Sequence, residues 1–183
     1  MDAAEIQPAR RPGTRAGLAR FGRVLVMRLG PGEDVLPAME QLLRDADLTS
    51  GVILSGVASL RHASVRNIVR FPDQWPIQAD MRRQTTVPGP LEILAMQGNV
   101  APTPNAGKGA GFVIHCHVEF SVGAPPAVTY GGHLVDNTIV ATTCELYVAE
   151  LTDLDMRRVH DEQTQTLEIS MSPQIGAGDT GNG

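Results

Sequence analysis

The sequence predicts an α+β fold: a mostly antiparallel sheet with one main helix and short extra helical turns, in a compact single domain. Three observations lead to this prediction. The chain has 183 residues, a typical length for one domain. Several β-branched or alternating apolar runs are typical of strands. One stretch alone, from Val35 to Leu43, repeats apolar residues clearly at helical spacing, and many strands with one helix favour an α+β arrangement.

The first strand is predicted at FGRVLVMRL, which begins at Phe21. It is interrupted by Gly30-Pro31-Gly32, a combination that breaks regular structure. Glu33 and Asp34 then begin the helix, because acidic side chains are stabilised at its positive end. We expect this helix to end between Asp45 and Leu48.

The middle of the chain alternates between apolar runs and breaker residues. SGVILSGVASL, which ends at Leu60, is predicted to be a buried strand, with residues 61–69 as its hairpin partner. Residues 70–90 contain four prolines and are predicted to be mostly loop. A further strand is expected at residues 91–100, followed by a flexible, Gly-rich connection over residues 101–111.

The second half of the chain predicts a hairpin and further strands. One strand is expected over residues 112–122, a turn over residues 123–127 and a return strand over residues 128–135. The β-branched run at residues 138–151 predicts another strand, and a weaker signal lies at residues 167–171.

The predicted domain organisation is a flexible, arginine-rich leader at residues 1–20, a domain at residues 21–171 and a flexible tail at residues 172–183. The leader and the start of the first strand carry six arginines: Arg10, Arg11, Arg15, Arg20, Arg23 and Arg28. Such a basic arm is typical either of a solvated segment or of one that contacts nucleic acid or an acidic partner.

Composition excludes several protein classes. The net charge of −5 argues against general affinity for polyphosphates. Two cysteines, Cys116 and Cys144, lie within apolar strand-like runs and indicate buried thiols rather than a disulfide framework. No apolar run reaches the roughly 20 residues that a membrane span needs, and the N-terminus lacks a secretory signal. We therefore expect a cytoplasmic protein with no membrane contact.

Three of the five histidines lie within 24 residues, at positions 115, 117 and 133. Side chains alternate along a strand, so His115 and His117 share one face while Cys116 points to the other. A turn centred near Pro125 places His133 opposite His117, with Cβ atoms about 5 Å apart. The predicted hairpin therefore gathers three imidazoles on one face of the sheet.

Three histidines with an open position are a known arrangement for zinc, and other divalent metals tolerate it. We therefore predict His115, His117 and His133 as ligands of a divalent metal, with zinc preferred; the alternative is polar residues on a hydrated sheet face. Gly131 and Gly132 are interpreted as leaving room for a ligand or a neighbouring chain.

No catalytic residue is identified. Glu119 shares the histidine face and is a candidate hydrogen-bond partner for a ligand histidine, and Glu119 and Glu145 are candidate proton-transfer groups. His62 and His160 are interpreted as surface residues, and the charged stretch around His160, which includes Arg157 and Arg158, as hydrated surface.

The order of segments resembles the plants-and-prokaryotes conserved (PPC) domain. The resemblance covers roughly residues 21–170 and is carried by LGPGEDVLPAMEQLL, GVILSGVASLRHA, HCHVEFS, YGGHLVDNTIVATTCELYVAEL and DEQTQTLEI. It implies a compact α+β fold, a homotrimer, and metal ligation by the histidines at positions 115, 117 and 133. Prokaryotic members carry a DNA-binding label, so the resemblance also implies a DNA-binding or regulatory protein.

In plants this domain follows an AT-hook, a short basic arm with the core Arg-Gly-Arg-Pro that enters the minor groove. The leader here reads Arg10-Arg11-Pro12-Gly13 instead. Two alternatives to a DNA role stay open, namely a small metalloenzyme and a metal-binding or small-ligand-binding protein without catalysis.

Overall fold

The computed structural model describes residues 16–103, 111–123, 127–162 and 164–173. Most of the predicted leader, most of the glycine-rich connection and nearly all of the predicted tail lie outside these residues. The domain boundaries therefore stay predictions.

The described residues form eight strands, one α-helix and one 3-10 turn. In chain order these are β1 (Arg20–Leu29), α1 (Val35–Asp45), β2 (Gly51–Ile68), the 3-10 turn (Ala79–Met81), β3 (Arg82–Pro102), β4 (Phe112–Val122), β5 (Val128–Leu134), β6 (Ile139–Thr152), β7 (Leu154–His160) and β8 (Leu167–Pro173).

The predicted α+β class is wrong, because the fold is nearly all-β. Strands make up 65% of the described residues and helices 10%.

Residues 61–69 were expected to fold back on residues 51–60, yet both segments belong to one continuous strand, β2. Residues 82–90 were expected to be loop but begin β3, where Pro88 and Pro90 occupy exposed positions opposite a register shift in β2. Prolines are tolerated in strands at such irregularities.

The strand order in the main sheet is β1-β6-β2-β3-β4-β5, and every pairing is antiparallel. β2 has three partners: it pairs with β3 along its length, with β6 through its first part, and with β5 at Val65 and Arg66. The β2–β5 pairing closes β2, β3, β4 and β5 into a small barrel. The core lies inside this barrel and beneath α1.

The predicted helix is confirmed. Val35, Met39 and Leu43 share the buried face of α1 and pack on the sheet. Asp34, which precedes the helix, accepts hydrogen bonds from the backbone N–H groups of Asn137 and Thr138. These contacts fix the start of α1 against the start of β6. No helix in the described residues is long and apolar enough to span a bilayer.

The hairpin formed by β4 and β5 has the predicted register. Val122 pairs with Val128, and His117 pairs directly with His133. Cys116, Val118 and Phe120 point into the core, as the alternation predicts. Because the parity is preserved along the whole pairing, the intervening positions of β4 all face the other way.

A second, two-stranded sheet formed by β7 and β8 lies beside the end of β3. Its own small core comprises Ala101, Leu154 and Met156, with Ile169 and Met171 packed against them. β8 matches the weak strand signal in the sequence, whereas β7 was not predicted. This hairpin places residues of β7 and β8 along one side of the histidine cluster.

Candidate metal centre

The three histidines lie together at the junction of β4 and β5. Their ring centroids are 5.2 Å apart for His115 and His117, 5.0 Å for His115 and His133, and 5.3 Å for His117 and His133. One nitrogen from each ring lies within 4.8 Å of the others. The hairpin register accounts for this convergence, because His117 faces His133 across the ladder and His115 is the next residue on the same face.

The spacing of these nitrogens fits a metal ion. Tetrahedral zinc with Zn–N bonds of about 2.0 to 2.1 Å places its ligand atoms about 3.3 Å apart. The Nε2 atoms of His115 and His117 are 3.2 Å apart. Cys116 and Cys144 point into the core, where burial raises the pKa of both thiols to about 12. The donor set that the chain offers here is therefore three imidazoles.

Two of the imidazoles are held neutral by their surroundings. Burial, together with the charges of His115, Arg66, His117 and Arg158, lowers the pKa of His133 to about 4. Burial also lowers the pKa of His115, followed by the charge of Arg158. A neutral imidazole is the form that binds metal, so both rings are in the charge state that metal binding requires at neutral pH.

Arg158 is part of this site, although the sequence interpretation placed it on a hydrated surface. That interpretation is wrong, because the residue is 4% exposed. One guanidinium nitrogen, Nη2, donates to Asn99 Oδ1 at 2.6 Å and to His115 Nδ1 at 2.9 Å, while Nη1 donates to the carbonyl of Leu167 at 3.0 Å. The alternation of Leu154 and Met156 was the signal that places position 158 on the same inward face.

The contact between Arg158 and His115 determines the tautomer of that ring. A guanidinium only donates hydrogen bonds, so Nδ1 of His115 accepts. In the neutral ring the proton is then on Nε2, which donates to His117 Nε2. For His115 to bind a metal through Nε2, the proton must move to Nδ1 and the contact with Arg158 must open.

A cavity of about 630 Å³ opens in front of the histidines. Three arginines from different strands line it, namely Arg66, Arg82 and Arg158, together with the carboxylate of Glu168. Its apolar wall includes Trp75, Ile77 and Leu167. The volume lies within the range of about 300 to 1,000 Å³ that is typical of small-molecule sites.

The predicted carboxylates lie elsewhere. Glu119 is exposed beside Gly131 in the β4–β5 ladder, and Glu145 is exposed on β6 opposite Arg28; neither lines the cavity. His62 contacts Asn137 Oδ1 at 3.1 Å through Nε2. His160 lies 3.8 Å from Glu162 with a half-exposed side chain. Neither of these two histidines joins the cluster.

The interpretation that Gly131 and Gly132 leave room for a ligand or a neighbouring chain is wrong. A Cβ atom on Gly131 would meet the carbonyl of Val118, and one on Gly132 would overlap the amide of Asn67. The Asn67 side chain also donates to the carbonyl of Gly131 at 3.0 Å. The missing side chains therefore let β4 and Asn67 approach β5 closely, within the chain itself.

Residues 17–152 match the sequence profile of the family described as the Plants and Prokaryotes Conserved (PCC) domain, also abbreviated PPC. Among curated proteins, the chain is 30% identical over 176 residues to the bifunctional protein GlmU of Synechococcus sp. (strain JA-3-3Ab), an alignment that covers 91% of this chain. The chain spans about a quarter of the length of such relatives, with 25% of that protein covered.

Solved structures share the fold. A metal-containing protein from Archaeoglobus fulgidus superposes with a TM-score of 0.66 and 24% identity, over 85% of this chain and 98% of that chain. A protein from Ralstonia eutropha, named as a candidate DNA-binding protein, superposes with a TM-score of 0.60 and 21% identity, over 79% of this chain and 89% of that chain. At these identities the likeness establishes the architecture.

Proposed function

The chain belongs to the Plants and Prokaryotes Conserved domain family, and from that membership we propose that it is a metal-binding protein that acts as a homotrimer. The observation that carries the proposal is the convergence of His115, His117 and His133 to within 4.8 Å. The metal would be divalent, with zinc favoured by three imidazole ligands and an open fourth position. The name of the Archaeoglobus relative, a metal-containing protein, supports the same proposal.

Metal analysis of the purified chain tests this function. After loading with zinc and removal of excess, we expect about one metal ion per chain by inductively coupled plasma mass spectrometry. His133→Ala should lose most of it, because two remaining imidazoles make a much weaker site. His160→Ala is the matched control, since that histidine lies outside the cluster. Metal content near zero in the unmodified protein, or equal content in both variants, would contradict the proposal.

A metal held by three histidines lowers the pKa of a bound water toward about 7. We propose no reaction, because a metal site alone does not define one. Glu168 is the carboxylate that lines the cavity in the described residues, so it would be the first candidate for proton transfer if the alternative of a small metalloenzyme were true.

The homotrimer is supported by the resemblance to PPC domains and by an apolar outer face of the sheet. We define this outer face by four exposed side chains on three adjacent strands, Val24 and Val26 of β1, Val57 of β2 and Tyr147 of β6. Val26 and Tyr147 are direct cross-strand partners. Contiguous apolar surface of this kind is typical of a contact between protein chains.

DNA binding is the second candidate function, and it would make the protein a regulatory one in the cytoplasm. It is supported by the name of the Ralstonia relative and by the arginine-rich leader. Of the six arginines between positions 10 and 28, three lie in the described residues: Arg20, which pairs with Asp153, Arg23, which pairs with Glu150, and Arg28 on β1. The remaining leader arginines, Arg10, Arg11 and Arg15, would therefore be the main phosphate contacts.

A gel-shift titration with duplex DNA tests the DNA role. If several phosphates are contacted, affinity should fall steeply between about 50 mM and about 200 mM salt. Deleting residues 1–15, which leaves β1 intact, should abolish the shift. No shift at low salt would exclude this candidate and leave the metal proposal untouched.

A further inference from the structure

We propose that the cavity beside the histidines binds a small organic oxyanion, a carboxylate or phosphate ester with an apolar body. The inference deepens the proposed function, because it names the ligand class for the same site. It rests on the charge of the cavity lining, on the way Arg158 is held, and on the exposed apolar side chains that also line the cavity.

The lining of the cavity carries more positive than negative charge. Three arginines line it against one carboxylate, Glu168. Arg66 and Arg82 lie on β2 and β3, and neither forms an ion pair or a side-chain hydrogen bond with the described part of the chain. The charge of these side chains therefore favours an anionic occupant. Guanidinium groups bind carboxylates and phosphates through paired hydrogen bonds.

Arg158 is held in place by hydrogen bonds to uncharged groups, and the negative charge that acts on it is that of Glu168 in the same cavity lining. Its contacts with Asn99, with the carbonyl of Leu167 and with His115 are all to uncharged acceptors. Its Nε atom is buried without a hydrogen-bond partner in the described residues. A buried guanidinium with this set of partners has unused capacity for a negatively charged group.

Metal binding would increase this capacity. If His115 binds a metal through Nε2, its Nδ1 must carry the proton and can no longer accept from Arg158. The Nη2 group then loses the Nδ1 acceptor that it contacts at 2.9 Å. An oxyanion in the cavity would replace that acceptor, so binding of the metal and of the anion should reinforce each other.

The apolar wall of the cavity is exposed to solvent. Trp75 is 53% exposed, Ile68 46% and Leu167 42%, and all three line the cavity. A ligand that covers these side chains removes apolar surface from water, which is favourable. An inorganic ion would leave them exposed, so we infer an organic anion whose apolar part contacts this wall.

Isothermal titration calorimetry of the zinc-loaded full chain tests the inference with three probes of similar size: phenyl phosphate, benzoate and benzyl alcohol. We expect at least one of the two anions to bind and uncharged benzyl alcohol to bind at least about tenfold more weakly, a difference of about 1.4 kcal/mol. Equal binding of benzyl alcohol, or no binding of either anion, would overturn the inference. Comparison of the two anions identifies which oxyanion the site prefers.

Paired arginine variants locate the binding. Arg82→Gln and Arg158→Gln should each weaken binding of the preferred anion about tenfold or more. Their sequence neighbours are the matched controls: Arg83→Gln and Arg157→Gln alter exposed arginines that do not line the cavity. If Arg158→Gln fails to fold, the comparison of Arg82→Gln with Arg83→Gln decides alone. Equal losses in a variant and its control would overturn the inference.

The same samples separate this inference from the proposed function. Metal content reports on the metal site, and anion affinity reports on the cavity. Anion binding to a chain that takes up no metal would refute the metal proposal and support the oxyanion site. A chain that takes up metal but binds no anion would support the metal proposal and refute the oxyanion site. If duplex DNA displaces the anion and Arg82→Gln weakens that DNA binding, the arginines belong to a nucleic-acid interface and the small-ligand inference fails.

Discussion

The charge state of individual side chains controls what the histidine cluster can bind. Burial lowers the pKa of His115 and His133, and the guanidinium of Arg158 contributes to both shifts. Arg158 thus has two effects: it keeps the rings neutral, and it occupies Nδ1 of His115. The neutral charge of the rings favours metal binding. The hydrogen bond from Arg158 to Nδ1, in contrast, must break before His115 can bind a metal through Nε2.

The stability of the metal-free protein should depend on His133 at mildly acidic pH. In the folded chain its pKa is lowered from 6.5 to about 4, so between these values the unfolded chain binds more protons. The stabilising contribution is therefore present above pH 6.5 and is lost as the pH falls toward 4. Urea unfolding of chelator-treated protein should show a smaller loss over this range for His133→Gln than for the unmodified chain. Identical pH profiles would contradict this prediction.

Gly98 is the residue whose substitution should most directly disturb the cluster. It pairs with Cys116 across β3 and β4, and a Cβ atom there would overlap the carbonyl oxygen of His115. Since that obstacle is backbone, relief requires β4 to move. We expect Gly98→Ala to lower the free energy of unfolding by about 2 to 4 kcal/mol and to weaken zinc uptake. Gly111→Ala is the control, because a Cβ atom there would lie 4.0 Å from the hydroxyl of Thr103; equal effects would refute the prediction.

The sequence predicts the convergence of the three histidines correctly and the burial of Arg158 wrongly, for one physical reason. Strict alternation and a short turn constrain His115, His117 and His133 locally, so the register can be worked out from the hairpin alone. Arg158 reaches the site through the packing of β7 and β8 beside β3, a contact between distant parts of the chain. Because charged residues are mostly exposed, a charged run gives little indication of such burial.

At the level of elements, the β7–β8 hairpin is a separate unit that forms one wall of the cavity. Its core of Ala101, Leu154 and Met156 is distinct from the main core. The hairpin contributes Arg158, Leu167 and Glu168 to the cavity lining. Its stability therefore affects the cavity more than it affects the barrel.

Truncation inside the hairpin core should have a local effect. Met156 is 6% exposed, and Met156→Ala should cost about 2 to 3 kcal/mol of the stability of β7 and β8. Hydrogen exchange measured by mass spectrometry should show faster exchange in residues 154–173 with little change in β2 and β6. Met39→Ala, in the main core beneath α1, should instead raise exchange throughout the barrel. Uniform acceleration by Met156→Ala would show that the hairpin is not a separate unit.

The element boundaries show why the predicted fold class was wrong. Strands β1, β4, β5 and β6 follow from apolar alternation, and the helix follows from its periodicity. β2 was divided near Leu60, although no breaker residue occurs there, and the start of β3 was assigned to loop because of its prolines. Pairing with β2 overrides that local preference, so sequence patterns alone underestimated the length of both strands.

At the level of the whole molecule, the outer face defined by Val24, Val26, Val57 and Tyr147 is the strongest candidate for self-association. Val26 is 63% exposed and Val24 53%. An apolar sheet surface of this kind loses exposed apolar area when copies of the chain associate.

A charge at the centre of the outer face should dissociate the proposed trimer. Val26→Asp places a carboxylate in the proposed contact, where assembly would remove it from water. The free-energy cost of this desolvation is well above the favourable free energy of association that the valine methyl groups contribute. Size-exclusion chromatography with light scattering should show a trimer for the unmodified chain and a monomer for the variant. Val128→Asp, at an equally exposed valine of β5, should leave the trimer intact. A monomeric unmodified chain would refute the assembly itself.

His133 occupies the seam where the ring of strands closes. On one side it pairs with Arg66 and on the other with His117. The seam between β2 and β5 has two residue pairs, against six between β5 and β4. A metal ion bound by imidazoles of both β4 and β5 would hold β5 in position to pair with β2. Metal binding and closure of the barrel would then be coupled. The melting temperature of the protein would therefore rise with the concentration of free metal ion.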